Sequence, residues 1–234
     1  MGNVFRFKQF EVNQEGCAMR INTDGVLLAA VAGADNPVRI LDIGTGTGVI
    51  AMMMAQRFSD AKIDAVEIDA QAAVTADANF TASPFAERIR GFHADIADYK
   101  SEFRYDIIIS NPPFFVNDLK NPESRKSLAR HAADDFFEML VARAADLLSE
   151  RGLLWLILPV KSAEVLVQSA EQAGLNLHKE IRICSDNSKP VIREIIAIGR
   201  KPKATERELF YIYESEGVYT EDYKALLKDF FLAF

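Results

Sequence analysis

The sequence predicts an α/β fold with a seven-stranded, mostly parallel sheet, one antiparallel strand and helices on both faces. Two observations support this prediction. Short apolar runs alternate with amphipathic stretches from residue 38 to residue 174, a pattern typical of parallel strands linked by crossover helices. Two further strand-like runs then follow with only a short turn between them, which predicts an antiparallel hairpin at one edge of the sheet.

The predicted elements follow one another in a regular order. The first two strand–helix pairs are VRILDIG with TGVIAMMMAQRF and KIDAVEID with AQAAVTADANFTA, and the strands RIRGFHAD and YDIIIS come next. A helix over 131–149, ended by Arg151 and Gly152, leads into the buried strand LLWLILPV. The helix KSAEVLVQSAEQAG then stops at Gly174. The runs LHKEIRICSD and PVIREIIAIGRK form the hairpin and bring the strand count to seven.

The composition indicates one globular domain that does not coat nucleic acid. A chain of 234 residues with 49% hydrophobic residues can fill one sizeable core. We expect residues 38–201 to form the core sheet and helices, with 1–37 and 202–234 as extensions packed on it. The net charge of -7 excludes a protein that binds polyanions over its whole surface, so any nucleic-acid contact must use local basic patches.

The cysteines and the apolar runs indicate neither a metal site nor a membrane anchor. Cys17 and Cys184 lack metal-ligand spacing, and we expect two buried thiols in a reducing compartment. No segment reaches about 18 uninterrupted apolar residues, and the N-terminus lacks a long apolar run. The sequence therefore predicts a soluble, cytoplasmic protein without a bound metal, and we expect a monomer.

A glycine-rich turn follows the first predicted strand. LDIGTGTGVIA places Gly44, Gly46 and Gly48 between this strand and the helix after it, where glycines allow a tight turn and close approach of a ligand. The spacing G-x-G-x-G differs from the dinucleotide fingerprint G-x-G-x-x-G. Glu67 ends the second strand, 23 residues after Gly44, where a carboxylate can accept hydrogen bonds from both hydroxyls of a ribose. Asp69, two residues further on, is expected to cap the next helix.

This pattern resembles that of class I methyltransferases, which use S-adenosylmethionine and have a Rossmann-like fold. The resemblance implies that the glycine loop lies at the methionine and ribose end of the cofactor and that Glu67 holds the ribose. It also implies that Asp95, after the third strand, accepts a hydrogen bond from the adenine amino group, although an Asp at this position can also cap a helix. The implied cofactor-binding set is Asp42, Gly44, Thr45, Gly46, Gly48, Glu67, Ile68, Asp95, Ile96 and Asn111.

The fourth strand runs directly into SNPPFF, at the edge where open α/β sheets bind ligands. Methylation of a planar amine requires acceptors for its two N–H groups, because the nitrogen must become more tetrahedral. Asn111 offers a side-chain oxygen and Pro112 a backbone carbonyl, while the rings of Pro112 and Pro113 make the turn rigid. Phe114 can stack on an unpaired base. The alternative for this stretch is a strand terminator with a buried aromatic ring.

The motif resembles that of amino methyltransferases, which act on adenine N6, guanine N2 or glutamine amides. TDGVLL near the start and YTEDY near the end resemble the bacterial family that methylates adenine N6 at position 37 of a valine tRNA. This resemblance implies that Thr23 and Asp24 close over the cofactor site, although both can also cap a helix over 25–32. The alternatives are a guanine-N2 rRNA methyltransferase, a release-factor glutamine methyltransferase and a non-catalytic regulator that binds S-adenosylmethionine.

Two basic runs are candidates for RNA contact. The segment 119–131 follows the Asn-Pro-Pro-Phe motif without obvious periodicity, which is consistent with a mobile lid. Residues 188–207 form the second run, and either run can instead be an ordinary solvated face. The first run is the preferred candidate because of its position, and it contributes Lys120, Arg125, Lys126, Arg130 and His131.

Overall fold

The computed structural model describes residues 3–17, 19–112 and 124–234, with the backbone alone for 124–134. Pro113, Phe114 and Lys120 therefore lie outside the described residues. The helices are α1 (Thr23–Val31), α2 (Val49–Arg57), α3 (Ala70–Ala82), α4 (Ser124–Leu147), α5 (Val160–Gln172) and α6 (Glu221–Leu227). The strands are β1 (Val4–Arg6), β2 (Glu11–Asn13), β3 (Arg39–Ile43), β4 (Lys62–Glu67), β5 (Ile89–His93), β6 (Tyr105–Ser110), β7 (Leu148–Leu158), β8 (Asn176–Cys184), β9 (Val191–Gly199), β10 (Glu206–Tyr211), β11 (Tyr213–Ser215) and β12 (Val218–Tyr219).

The central sheet has the strand order β10-β8-β9-β7-β6-β3-β4-β5 in the part of the chain that the structure describes. Strands β3 to β7 pair parallel with one another, whereas β9 pairs antiparallel with both β7 and β8. The predicted mostly parallel sheet with one antiparallel strand is confirmed. The hairpin of β8 and β9 does not simply extend the edge, because β9 is inserted between β7 and β8.

An eighth strand, β10, enlarges the predicted seven-stranded sheet. It comes from the segment 202–234 that was expected to pack on the core, and it pairs parallel with β8 at the edge of the sheet. Its first four residues are exposed. A strand with so little buried surface carries no apolar alternation, which explains why the sequence pattern did not reveal it.

The boundary between α4 and β7 differs from the prediction. The helix ends at Leu147, and β7 already includes Arg151 and Gly152, which were expected to stop the helix. The ladder between β6 and β7 shifts register here. A Cβ added at Gly152 would lie 2.4 Å from the Tyr105 carbonyl oxygen, so this glycine permits close approach of two strands.

Side-chain caps define the starts of two helices near the carboxyl edge. Asn22 caps α1, and its side chain accepts the Gly25 N–H at 2.9 Å, so Thr23 and Asp24 lie inside the first turn and are not the caps. Asp69 caps α3 as predicted, with its carboxylate accepting the Ala72 N–H at 2.8 Å. Gly174 follows α5 with φ +75°, which confirms the predicted stop.

The core has two layers, one on each face of the sheet. Along β6, Ile107 and Ile109 pack in the layer that contains α1 and α2, whereas Ile108 packs in the layer that contains α4 and α5. Strands buried on both faces have continuous apolar runs, as the sequence shows. The chain ends join the first layer, where Phe7 forms a β-bridge with Phe231. Among the described residues, no helix has both the length and the apolar character needed to cross a membrane.

Candidate active site

A cavity of about 290 Å³ opens at the carboxyl edge of the sheet. Its walls come mostly from the ends of β3, β4 and β6 and from the residues that follow β3, β4, β5 and β6. The volume lies near the lower end of the range for small-molecule sites, about 300–1,000 Å³. The carboxyl edge is also where open α/β sheets bind their ligands, so this cavity is the candidate site.

The glycine loop forms one wall of the cavity. Gly44, Gly46 and Gly48 have φ values of +70°, +56° and +83°, a region that non-glycine residues rarely adopt. The Gly44 and Thr45 N–H groups both donate to the Val66 carbonyl, which ties the loop to β4. A Cβ at Gly44 or Gly46 would meet nothing within 4 Å, so these two glycines leave open space beside the cavity.

Glu67 is buried in the cavity wall and holds the backbone around it. Its Oε2 accepts the Gly46 N–H at 2.8 Å, and its Oε1 accepts the Asp69 N–H at 2.9 Å. An ionised carboxylate has about four acceptor positions, so each oxygen can accept one further hydrogen bond. Glu67 therefore shapes the loop and can still accept hydrogen bonds from a ligand.

Asp42 lies beneath the loop and not in the cavity wall. It is completely buried, and its Oδ2 accepts the Thr45 hydroxyl at 2.6 Å. Its Oδ1 has no hydrogen-bond partner among the described residues. The Ala51 N–H nevertheless favours the ionised carboxylate and so acts to lower the pKa of Asp42. Burial raises the pKa of Asp42 to about 7, against the opposing effect of the Thr45 hydrogen bond.

The opposite end of the cavity is formed by the turn after β5. Asp95 and Ile96 line it, together with Ile68, which is 64% exposed. The Asp95 Oδ1 accepts the Ala97 N–H at 2.9 Å, so this carboxylate caps a turn as well as facing the cavity. The Ile96 N–H has no acceptor within the described part of the chain and is a candidate donor to a ligand.

The Asn-Pro motif begins at the end of β6, on the other side of the glycine loop from β5. Asn111 and Pro112 both line the cavity directly after β6. The Asn111 Oδ1 is buried without a hydrogen-bond partner among the described residues. Because a buried acceptor without a donor is costly, this oxygen is suited to receive an N–H group from a ligand.

The first turn of α1 lies close to the Asn111 side chain. A Cβ added at Gly25 would lie 3.6 Å from the Asn111 Nδ2. Thr23 and Asp24, in the same turn, are not in the cavity wall. Asp24 instead accepts a hydrogen bond from the Arg193 Nε at 2.8 Å, which joins α1 to β9.

Seven of the predicted cofactor-binding residues meet at the cavity, and five do not. Those in the wall are Gly44, Gly46, Glu67, Ile68, Asp95, Ile96 and Asn111. Those outside it are Thr23, Asp24, Asp42, Thr45 and Gly48.

Nine residues of the wall were not predicted as site residues, and three of them come from segments that do not adjoin a strand end of the central sheet. Cys17 and Met19 come from the segment before α1, and Phe136 comes from α4. Burial raises the pKa of the Cys17 thiol, with a smaller opposing effect from its hydrogen bond to Thr75. The N-terminal segment has no periodic pattern that would indicate its position. The face of α4 that meets the cavity depends on packing that is not visible in the sequence.

The structure changes the description of both basic runs. Residues 124–131 belong to α4, so this part of the proposed lid is helical, which its strong helix formers explain. Arg125, Lys126, Arg130 and His131 lie in that helix. The second run is divided between the two edges of the sheet, because β9 runs antiparallel to β7. Arg193, near the start of β9, lies at the carboxyl edge. Lys201 and Lys203, after the end of β9, line a separate cleft of about 720 Å³ at the amino edge.

Comparisons with known proteins identify the family of this chain. The family described as methyltransferase small domain matches residues 17–169. Proteins named tRNA1(Val) (adenine(37)-N6)-methyltransferase are 56% identical in Pedobacter heparinus, with 100% of both chains covered, and 42% identical in Dyadobacter fermentans, with 98% of both covered. The protein of the same name from Tolumonas auensis is 40% identical, with 99% of this chain and 98% of the relative covered.

Solved methyltransferase structures share the fold at low sequence identity. The protein Atu636 from Agrobacterium tumefaciens, described as a predicted O-methyltransferase, has a TM-score of 0.67 and 19% identity over 88% of this chain and 96% of its own. A methyltransferase from Pyrococcus furiosus has a TM-score of 0.59 and 21% identity over 82% and 90%. The family model and the full-length relatives therefore show that the chain belongs to the methyltransferase small domain family and, within it, to the family of the tRNA1(Val) (adenine(37)-N6)-methyltransferases.

Proposed function

We propose that this enzyme transfers a methyl group from S-adenosylmethionine to the N6 amine of adenine 37 in a valine tRNA. One observation carries the proposal. The Asn111 Oδ1 is buried and has no hydrogen-bond partner in the part of the chain that the structure describes, and Asn111 lines the same cavity as Pro112, Glu67 and the glycine loop. An acceptor for an amine thus lies beside the groups suited to hold the cofactor. The names of the full-length relatives support adenine 37 as the target.

The residues of the cavity fit S-adenosylmethionine. The Glu67 oxygens retain acceptor capacity for two ribose hydroxyls, and Gly44 and Gly46 leave room for a ligand to approach the backbone. At the other end, the Asp95 carboxylate and the Ile96 N–H offer one acceptor and one donor, as the edge of adenine requires. When bound there, the cofactor would supply a methyl group on a positively charged sulfur.

The catalytic contribution of the chain is positioning and hydrogen bonding. Asn111 accepts one N–H of the target amine through its Oδ1, and the Pro112 carbonyl accepts the other. These bonds strengthen as positive charge develops on the nitrogen. Neither group acts as a general base, so the rate enhancement comes from alignment of the amine with the methyl group and from these acceptors. Pro113 and Phe114 keep their proposed roles in rigidity and base stacking.

RNA contact is proposed for α4 and the segment before it. Lys120, Arg125, Lys126, Arg130 and His131 follow the Asn-Pro motif in the chain, where phosphates beside a flipped adenine would lie. We further propose that the enzyme acts as a monomer in the cytoplasm, where its tRNA substrate is found.

Methyl transfer to purified RNA tests the function. The enzyme is incubated with radiolabelled S-adenosylmethionine and either a valine tRNA transcript or the same transcript with guanine at position 37. We expect labelled N6-methyladenine from the first transcript and none from the second. Parallel incubations contain ribosomal RNA or a release factor, and label in N2-methylguanine or in the release factor would favour one of the alternative substrates. Binding of cofactor without transfer to any of these substrates would favour the regulator.

A further inference from the structure

Arg143, on α4, is anchored against the turn that forms the far end of the cavity. Its Nε donates to the Ile96 carbonyl at 3.2 Å, and its Nη2 donates to the Tyr99 carbonyl at 2.5 Å. Its Nη1 pairs with Asp146 on the same helix at 3.3 Å. The side chain is 23% exposed and is not part of the cavity wall. All three nitrogens of the guanidinium are therefore engaged outside the cavity.

The turn held by Arg143 is also fixed by hydrogen bonds within the turn and by one hydrogen bond to the sheet. The Asp95 carbonyl accepts the N–H groups of Asp98 and Tyr99, and the Asp95 carboxylate accepts that of Ala97. The Tyr99 hydroxyl is hydrogen-bonded at 2.9 Å to the buried Tyr105 hydroxyl. Arg143 adds the connection to α4, so the turn is held between the sheet and the helix.

A guanidinium is suited to this task. Its planar fork donates to two carbonyls at once and fixes the direction of both, whereas a lysine ammonium acts as a single point charge. The two carbonyls belong to Ile96 and Tyr99, and Ile96 also presents its N–H at the end of the cavity. The Ile96 carbonyl lies in the peptide after this residue and the Ile96 N–H in the peptide before it, so Arg143 restrains the N–H through the backbone of Ile96.

We infer that Arg143 is a positioning residue that sets which base the cofactor site accepts. It holds the turn 95–99 so that the Asp95 carboxylate and the Ile96 N–H match the amino group and the ring nitrogen of adenine. The same helix contributes Phe136 to the cavity wall, so α4 both closes the site and aligns the groups that read the base. This inference rests on the proposed use of S-adenosylmethionine.

Base discrimination in the absence of RNA tests the inference. Calorimetry measures the affinity of the full-length protein for S-adenosylhomocysteine and for S-inosylhomocysteine, in which a carbonyl replaces the adenine amino group. The wild type should prefer the adenine ligand strongly, because the inosine edge would leave Asp95 and Ile96 mispaired. In Arg143→Met the ratio of the two affinities should fall about 10-fold or more, which corresponds to one lost orienting interaction.

Matched variants separate positioning from general loss of stability. Arg143→Lys should restore only part of the discrimination, and Asp146→Asn, which removes the ion pair but keeps both carbonyl contacts, should retain the wild-type ratio. Hydrogen exchange of the hydrogen-bonded amides of 97–99 should accelerate in Arg143→Met while the amides of β4 keep their protection.

Two outcomes overturn the inference. The first is an Arg143→Met protein that binds both ligands more weakly by the same factor, since that indicates a structural role alone, and the proposed function survives. The second is a wild type that binds neither ligand, since that removes the cofactor proposal and this inference together.

Discussion

The Glu67 carboxylate accepts the Gly46 N–H at 2.8 Å, so the acid proposed to hold the ribose also holds the glycine loop. The two functions share the same oxygens. A substitution at position 67 therefore changes the shape of the loop and removes contacts to the ligand at the same time.

Glu67→Gln should weaken S-adenosylhomocysteine binding by about 1–3 kcal/mol, because an amide offers one acceptor where the carboxylate offers two. Titration calorimetry measures the change, and circular dichroism checks the fold. Glu87→Gln, an exposed glutamate, is the matched control and should bind normally. Unchanged affinity in a folded Glu67→Gln protein would exclude Glu67 from the site.

Asn111→Ala should lower the single-turnover rate of methyl transfer about 10²–10³-fold at saturating cofactor and tRNA, by analogy with the loss of one oxyanion-hole donor. Cofactor affinity should change little. Asn111→Asp keeps an acceptor oxygen at this position and should retain more activity than Asn111→Ala. Equal rates in Asn111→Ala and the wild type would show that Asn111 has no catalytic role and that the motif only ends the strand.

Asp42 should make the stability of the protein depend on pH. Its folded pKa of about 7 exceeds the unfolded value of 3.8, so the folded state binds the proton more tightly. Stability from this residue is fully present below pH 3.8 and is lost as the pH rises through 7, by up to about 1.4 kcal/mol per pH unit between the two values.

Asp42→Asn should remove this dependence, so its stability relative to the wild type should rise between pH 4.5 and 7.5. Urea unfolding at several pH values measures the difference. The exposed Asp60→Asn serves as the control. A constant difference across this pH range would contradict the raised pKa.

Gly48→Ala should destabilise the fold for two reasons. The residue has φ +83°, and an added Cβ would lie 2.4 Å from the Phe80 ring. Gly46→Ala shares the left-handed backbone but meets nothing within 4 Å, so it should cost only about 1–2 kcal/mol of unfolding free energy. A larger loss in Gly48→Ala, partly relieved by adding Phe80→Leu, would confirm the steric cause. Equal losses in the two glycine variants would argue against it.

Replacing Arg125, Lys126 and Arg130 with alanine should weaken tRNA binding and reduce its salt dependence. Each lost phosphate contact should lower the slope of log affinity against log salt by about 0.7–0.9. Binding isotherms at three or more salt concentrations measure the slope. The double variant Lys201→Ala, Lys203→Ala is the control, because both lysines lie at the amino edge, and it should keep the wild-type slope.

The fold was largely predictable because its signals are local. Strands buried on both faces have continuous apolar runs, and glycines mark the turns that need a left-handed backbone. The missed features depend on packing partners. Strand β10 is exposed and joins the sheet through backbone pairing with β8, which leaves no apolar pattern. The Arg151-Gly152 pair has the sequence of a helix stop, but close contact with Tyr105 places it in a strand.

The site was predictable where its residues follow strand ends. Glu67, Asp95 and Asn111 each lie within two residues of the end of a parallel strand, and such ends meet at one edge. Asp42 follows the same logic but lies one residue before the strand end, where its side chain is buried beneath the loop. Cys17, Met19 and Phe136 reach the cavity from other elements, and only the folded chain shows their proximity.

The joining of the chain ends has a consequence for synthesis. Phe7 bridges Phe231, and the Lys8 ammonium donates to the carbonyls of Lys228 and Phe234 at 2.5 and 2.7 Å. The ribosome produces Phe7 early and its partners late, so the N-terminal segment must remain without these contacts while most of the chain is translated. The N-terminal segment therefore gains these stabilising contacts only after residues 228–234 have been translated.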